Sequence, residues 1–120
     1  MKIAADIVVG LVAAIHVYIL VLEMFLWRSD RARAAFGTTP EFAEASATLA
    51  ANQGLYNGFL AAGLAWGLAL GVEGHAIKLF FLGCILVAGL YGGLTATRKI
   101  LFIQAIPAAL AMALVVASGA

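Results

Sequence analysis

The chain has 120 residues, of which 65% are hydrophobic and 11% charged, and its formal net charge is +1. Soluble domains are roughly half apolar and about a quarter charged, and a domain of this size has too little interior to hide the excess apolar surface. The composition therefore excludes a soluble globular protein, and the near-neutral charge excludes the basic surface of a nucleic-acid-binding protein. The single cysteine, Cys84, excludes an internal disulfide and a cysteine metal cluster. We expect no metal and no cofactor.

The first apolar stretch covers residues 3–27, and no small-residue cleavage site precedes the charged turn that follows it. It predicts a retained transmembrane helix, with Asp6 solvated near its outer end. After the turn, "TTPE" supplies Thr38 or Thr39 as an N-cap, followed by Pro40 and Glu41. No proline interrupts the next 29 residues, so we predict one helix of about 30 residues from Pro40, roughly 45 Å long.

The remaining apolar stretches are the second half of that helix, residues 54–72, and residues 76–94 and 100–117. Each is close to the roughly 20 residues that cross a bilayer as a helix, and helices satisfy their own backbone groups in lipid. The predicted fold is an all-α polytopic membrane protein. It is a bundle of four transmembrane helices in a single domain over residues 1–120, with the second helix extended into the cytoplasm.

The positions of lysine and arginine predict the orientation. One side carries Arg28, Arg31, Arg33, Arg98 and Lys99, whereas the other carries Lys2 and Lys78. This bias favours a multi-pass protein of the bacterial inner membrane, with both termini outside and the first and third loops in the cytoplasm.

Small residues recur at every fourth position of the long helix, at Ser46, Ala50, Gly54, Gly58 and Ala62. This small-residue ridge allows another helix to approach closely. It favours packing within one bundle, and it leaves open a homo-oligomer formed through the same face.

Polar residues gather near the cytoplasmic ends of the four predicted spans. Glu23, Gln53, Asn57, Tyr91 and Gln104 are expected at about one depth, with Asn52, Tyr56, Thr95 and Trp27 close to it. His16 is expected deeper, about 10 Å from Glu23 along their shared helix, so the two are not expected to touch. A polar layer at one depth predicts a pocket that opens to the cytoplasm.

Glu23 and His16 each have two interpretations. An ionisable residue inside a membrane often marks a functional site, so Glu23 is a candidate acid, base or hydrogen-bond acceptor, with His16 as a weaker catalytic candidate. The alternative for each is a hydrogen-bonded structural residue. The ligand-binding candidates are Asn52, Gln53, Tyr56, Asn57, Tyr91, Thr95, Gln104 and Trp27.

The segments "HVYILVLEMFLW", "NQGLYNGFLAAGLAWG", "LYGGLT" and "IQAIPAALA" together resemble one family of small bacterial membrane proteins, domain of unknown function 1304. The resemblance covers nearly the whole chain. It implies an integral membrane protein of about this length and brings no assigned activity. The matching motif positions are His16, Glu23, Phe25, Trp27, Asn52, Gln53, Gly54, Tyr56, Asn57, Tyr91, Gly92, Thr95, Gln104 and Pro107.

Three functions remain open at this stage. The favoured one is a membrane protein that binds a small or amphiphilic molecule in the cytoplasm-side pocket, with or without acid–base chemistry. The first alternative is a proton-coupled transporter or channel that acts as an oligomer. The second is a structural assembly partner without chemistry. Membrane lipids are expected partners in every case.

Overall fold

The computed structural model describes residues 1–120 and is entirely helical. The α-helices are α1 (Lys2–Met24), α2 (Asp30–Phe36), α3 (Pro40–Ala69), α4 (His75–Thr95) and α5 (Ile106–Ser118). A 3-10 turn at Gly71–Gly74 precedes α4, and a π-helical turn at Leu101–Ala105 precedes α5. No strand is present.

Three helical segments are long and apolar enough to cross a membrane: Lys2–Met24, Gly71–Thr95 and Leu101–Ser118. Their surfaces carry large apolar side chains, among them Leu94 at 83% exposure, as expected of side chains that face lipid. The predicted span over 54–72 falls on α3, which is not among the three. Asn57 and several glycines lower the mean hydropathy of that stretch. The helical membrane fold thus agrees with the sequence, whereas a count of four spans remains a prediction.

The helix predicted from Pro40 is confirmed, because α3 contains 30 residues. Thr39 caps it by accepting a hydrogen bond from the Phe42 backbone N–H at 3.1 Å. The predicted end of the first helix is wrong: α1 ends at Met24 and the chain turns over the following residues, with the Ser29 N–H bonded to the Leu26 carbonyl.

Helix α2 was not predicted from the sequence. Its signals are nevertheless local: Ser29 accepts a hydrogen bond from the Ala32 N–H as N-cap, and Gly37 ends the helix at φ 69°. The left-handed region favours glycine because it lacks a Cβ.

The chain divides into two compact units. The first unit comprises Met1–Ile15 and Leu60–Ala120, and the second unit comprises His16–Phe59. The boundaries between them fall inside α1 and α3.

The first unit has a core of small and branched apolar side chains. α1 contributes Ala5, Val9 and Val12, α3 contributes Leu64, α4 contributes Leu82 and Ile85, and α5 contributes Ala108, Ala111 and Val115. Because many of these side chains are small, the helices pack at short distances, where van der Waals contact is the main attraction between helices in lipid.

The first unit contains a buried lysine. Lys78, which was used only as a charge for the orientation, is fully buried. Its Nζ donates to the Gly71 carbonyl at 3.0 Å and lies 3.4 Å from Asp6 Oδ1, so Asp6 is paired rather than merely solvated. Gly67 makes room for the lysine stem, since a Cβ there would lie 2.7 Å from Lys78 Cγ.

The last helical segment changes its hydrogen-bond pattern at Pro107. Within the π turn, the Ile106 N–H bonds to the Leu101 carbonyl, and Pro107 follows directly at the start of α5. Proline has no N–H to donate and clashes with the preceding helical turn, which the wider π turn accommodates.

The Lys78–Asp6 pair yields a prediction about stability. Asp6→Asn removes the only carboxylate beside the buried ammonium, and we expect it to lower the free energy of unfolding by about 1–3 kcal/mol. The lower end applies because the Asp6 side chain is 45% exposed. Lys78→Met keeps the apolar stem and removes the buried charge, so it should cost less. Unfolding in mixed detergent micelles measures both. A smaller loss for Asp6→Asn than for Lys78→Met would show that the ammonium stabilises this region through its hydrogen bond to the Gly71 carbonyl, and not through the ion pair with Asp6.

Candidate functional site

The candidate site lies in the second unit, where the last turns of α1 meet the middle of α3. Glycine determines how closely these two helices approach. A Cβ on Gly54 would lie 2.6 Å from Met24 Cγ, 3.0 Å from Glu23 Cβ and 3.3 Å from the Leu20 carbonyl oxygen. A Cβ on Gly58 would lie 2.7 Å from Leu20 Cδ1. The backbone of α3 therefore comes close to α1 at Gly54, whereas at Gly58 a Cβ would require only the end of the Leu20 side chain to move.

This part of the small-residue ridge is thus covered by α1 of the same chain. Gly54 is buried and Gly58 is half-buried, whereas Ala62 is exposed. Packing within the protomer accounts for both glycines. A homo-oligomer through small-residue faces stays a prediction.

Between the two glycines, Asn57 reaches Glu23. Its Nδ2 donates to Glu23 Oε1 at 2.6 Å and also lies 3.3 Å from the Gln53 carbonyl. Glu23 is 7% exposed and Asn57 is 5% exposed. The short asparagine side chain spans this gap because the neighbouring glycines bring its helix close to α1.

Only one oxygen of Glu23 has a protein partner. No side chain or backbone group donates a hydrogen bond to Oε2, and no cation pairs with the carboxylate. The partner of Oε1 is a neutral amide. Glu23 is therefore a buried acid with a free acceptor position.

A small open pocket of about 190 Å³ reaches Glu23. It is bordered by the end of α1, by the turn after it and by α3; the lining residues are Glu23, Met24, Phe25, Leu26, Trp27, Arg28, Ser29 and Ala47. Pockets for drug-sized ligands enclose roughly 300–1,000 Å³. The volume therefore suits a small molecule or one end of a larger one.

The polar groups at the rim of this pocket bind one another. The Arg28 guanidinium forms an ion pair with Glu44, with Nη2 donating to Oε1 at 3.2 Å and Nε donating to Oε2. The hydrogen bond from Arg28 lowers the pKa of the Glu44 carboxyl and raises that of the guanidinium. The positive charge of Arg28 is thus balanced by Glu44.

Trp27 and Ser29 are fixed by neighbours in the same unit. The Trp27 indole Nε1 donates to Ser46 Oγ at 3.0 Å, and its ring lies 4.9 Å from that of Phe36 between centroids. The Ser29 hydroxyl donates to the Leu26 carbonyl at 2.6 Å. These contacts hold the turn after α1 against α2 and α3, and so they shape the pocket wall.

The structure places the predicted site residues in different settings. It brings Glu23 and Asn57 together, and it puts Trp27 on the wall of the same pocket. Asn52, Gln53 and Tyr56 have exposed side chains. His16 is fully buried. The roles of these residues stay predictions.

The other three predicted residues belong to the first unit. Tyr91 is 71% exposed, Thr95 is exposed and donates from its hydroxyl to the Tyr91 carbonyl, and Gln104 is half-buried in the π turn. Their predicted part in ligand binding stays untested.

Several residues that shape the pocket were not predicted as site residues. Arg28 was used only as a charge for the orientation and Ser46 only as a small residue, and Glu44 was not singled out. Opposite charges just after α1 and just inside α3 were the available signal, since consecutive antiparallel helices bring such positions together. Nothing in the sequence pointed to Ala47.

Comparison with known proteins gives a family but no activity. The model of the family described as "Protein of unknown function (DUF1304)" matches residues 10–116. The uncharacterized protein YpaA of Lactococcus lactis subsp. lactis (strain IL1403) is 37% identical over 97 residues, which are 78% of this chain and 81% of that protein. No solved structure matches the chain.

The glycine contact yields a prediction about packing. Gly54→Ala forces Met24 and Glu23 aside, and we expect the free energy of unfolding to fall by about 1–3 kcal/mol. Gly83→Ala is the matched control in α4, because nothing lies within 4 Å of a Cβ there. Alanine is the better helix former, so the control should be neutral or stabilising by up to about 1 kcal/mol. Equal effects at the two positions, measured in detergent, would contradict the close approach of α3 to α1.

The hydrogen bond to Glu23 yields a second prediction. Asn57→Leu leaves a buried carboxylate oxygen without its donor and should lower the free energy of unfolding by about 1–3 kcal/mol. Asn52→Leu, at an exposed position of the same helix, should change it by less than about 0.5 kcal/mol. If Asn57→Leu proved as mild as Asn52→Leu, the bond would not stabilise the fold.

Proposed function

Because the chain belongs to the DUF1304 family, whose name carries no activity, we propose its function from its own geometry. We propose a multi-pass protein of the bacterial inner membrane that binds a small molecule, or the head of an amphiphile, in the pocket beside Glu23. The observation that carries this proposal is the free Oε2 of a buried carboxylate beside an open pocket. Thr38 Oγ1 is the one fully buried side-chain polar atom without a partner, so Oε2 is accessible to a hydrogen-bond donor from outside the chain, and a bound ligand supplies that donor.

The walls of the pocket support an amphiphilic ligand. Met24, Phe25 and Leu26 provide apolar surface, while Glu23 is the acceptor at one end. Asn57 orients the carboxylate through Oε1 and leaves Oε2 for the ligand. The proposal is limited to ligand binding. It includes no acid–base reaction, because Glu23 has no second catalytic group beside it in the pocket.

The orientation in the membrane is part of the same proposal. In it, α1, α3, α4 and the segment Leu101–Ser118 all cross the bilayer, with the termini outside and the pocket at the cytoplasmic side. The contribution of Leu64 from α3 to the same core as residues of α1, α4 and α5 supports four crossings. The three arginines between α1 and Gly37 support a cytoplasmic position for the pocket.

Mass spectrometry of the purified protein tests the proposal. Wild type extracted gently from membranes should carry a copurified molecule that dissociates as a discrete mass. Ala47→Leu, which fills the pocket, should lose it. Ala45→Leu should retain it, because Ala45 is an exposed neighbour on the same helix that does not line the pocket.

Two outcomes would contradict the proposal. One is a wild type that carries no molecule and gains no thermal stability from any added small amphiphile. The other is a bound mass that survives equally in Ala47→Leu. Thermal unfolding of each variant confirms that it is folded before the masses are compared.

A further inference from the structure

The charge around Glu23 is unusual for a buried acid. Its hydrogen-bond partner, Asn57, is neutral, and no salt bridge reaches its carboxylate. Buried carboxylates are normally paired with a cation, because an unpaired buried charge is strongly unfavourable. Asp6 has such a cation in Lys78, whereas Glu23 has none.

The one basic residue on the pocket wall does not supply the missing charge. Arg28 is paired with Glu44 through two hydrogen bonds. Because this fork-to-fork geometry is the preferred arrangement for guanidinium and carboxylate, Arg28 is held at the rim. The wall therefore contains one balanced ion pair and one acid, Glu23, that has no cation of the protein beside it.

The remaining donors near the pocket are also occupied. The Trp27 indole N–H is directed to Ser46 and the Ser29 hydroxyl to the Leu26 carbonyl. A ligand therefore meets one strong acceptor, Glu23 Oε2, and apolar or aromatic surface. Aromatic faces such as that of Trp27 attract cations and not anions.

We propose that the pocket selects a small organic cation: a protonated amine with a short apolar body. This inference rests on the proposed binding function and specifies its ligand class. The ammonium group donates to Glu23 Oε2 and stabilises the ionised form of the acid, while the apolar body lies against Met24, Leu26 and Trp27. The volume of about 190 Å³ restricts the bound part to a few carbon atoms or one ring.

A set of three similar ligands separates this inference from the general binding function. Benzylammonium, benzyl alcohol and benzoate have nearly the same size and differ in charge. Binding is measured by calorimetry and by thermal stabilisation of the detergent-purified protein. The Ala47→Leu variant has a filled pocket, so any signal that remains in it comes from partition of the ligand into the micelle and is subtracted.

We expect benzylammonium to bind at least about tenfold more tightly than benzyl alcohol, as for a charge-assisted hydrogen bond, and benzoate not to bind. Glu23→Gln keeps an oxygen for Asn57 and removes the charge, so the preference for the cation should fall to about twofold or less. Glu41→Gln is the control, because it removes an exposed carboxylate from the first turn of α3 that does not line the pocket, and the preference should largely remain.

The outcomes are distinguishable. If benzyl alcohol binds as tightly as benzylammonium and Ala47→Leu abolishes both, the pocket binds ligands and the inference of cation selectivity is overturned. If the cation preference is unchanged in Glu23→Gln, the inference is likewise overturned. If none of the three ligands binds and no molecule copurifies, the binding function itself fails.

Discussion

The contact of α3 with α1 at Gly54 is the constraint on which the candidate site depends. Without a Cβ at this position, the backbone of α3 comes within van der Waals distance of the Leu20 carbonyl and the Glu23 stem. Asn57 lies on the next turn, and asparagine has the shorter of the two amide side chains. Only at this helix separation does its Nδ2 reach Glu23 at 2.6 Å. Packing and polar chemistry are thus one feature here, because the same glycine permits both.

The acidic residues near the two ends of α1, Asp6 and Glu23, have different surroundings. Asp6 is half-exposed and pairs with Lys78, whose ammonium also donates to the Gly71 carbonyl. Charge and hydrogen bonding are both balanced within the first unit, which is the pattern of a structural ion pair. Glu23 is more deeply buried, has a neutral partner and borders an open pocket. An acid without a cation beside an open pocket is the feature from which we propose a ligand site.

The turn after α1 gives the site its shape. In an unbroken helix from residue 3 to residue 27, Trp27 would lie one turn beyond Glu23 on the same helix face, and no turn would be present to form the pocket wall. Instead α1 ends at Met24, and bonds from Trp27 to Ser46 and from Arg28 to Glu44 tie the turn to α3. Both bonds use side chains from the first turns of α3, the part that precedes its apolar half. The length of α3 therefore has a direct role: its early turns hold the pocket wall in place.

The amino-acid pattern was sufficient for the helical membrane fold, the 30-residue α3 and the Thr39 cap, because hydropathy, helix length and capping are local properties of the chain. It also marked Glu23, Asn57 and Trp27, since polar residues stand out against an apolar background. The pattern did not reveal that Lys78 is buried against Asp6, that α1 ends early or that Arg28 pairs with Glu44. Each of these depends on which side chains meet across different helices, and a one-dimensional pattern contains no such distances. The tertiary structure alone separated Glu23 and Asn57, which touch, from Asn52, Gln53 and Tyr56, which lie on the exposed side of the same helix.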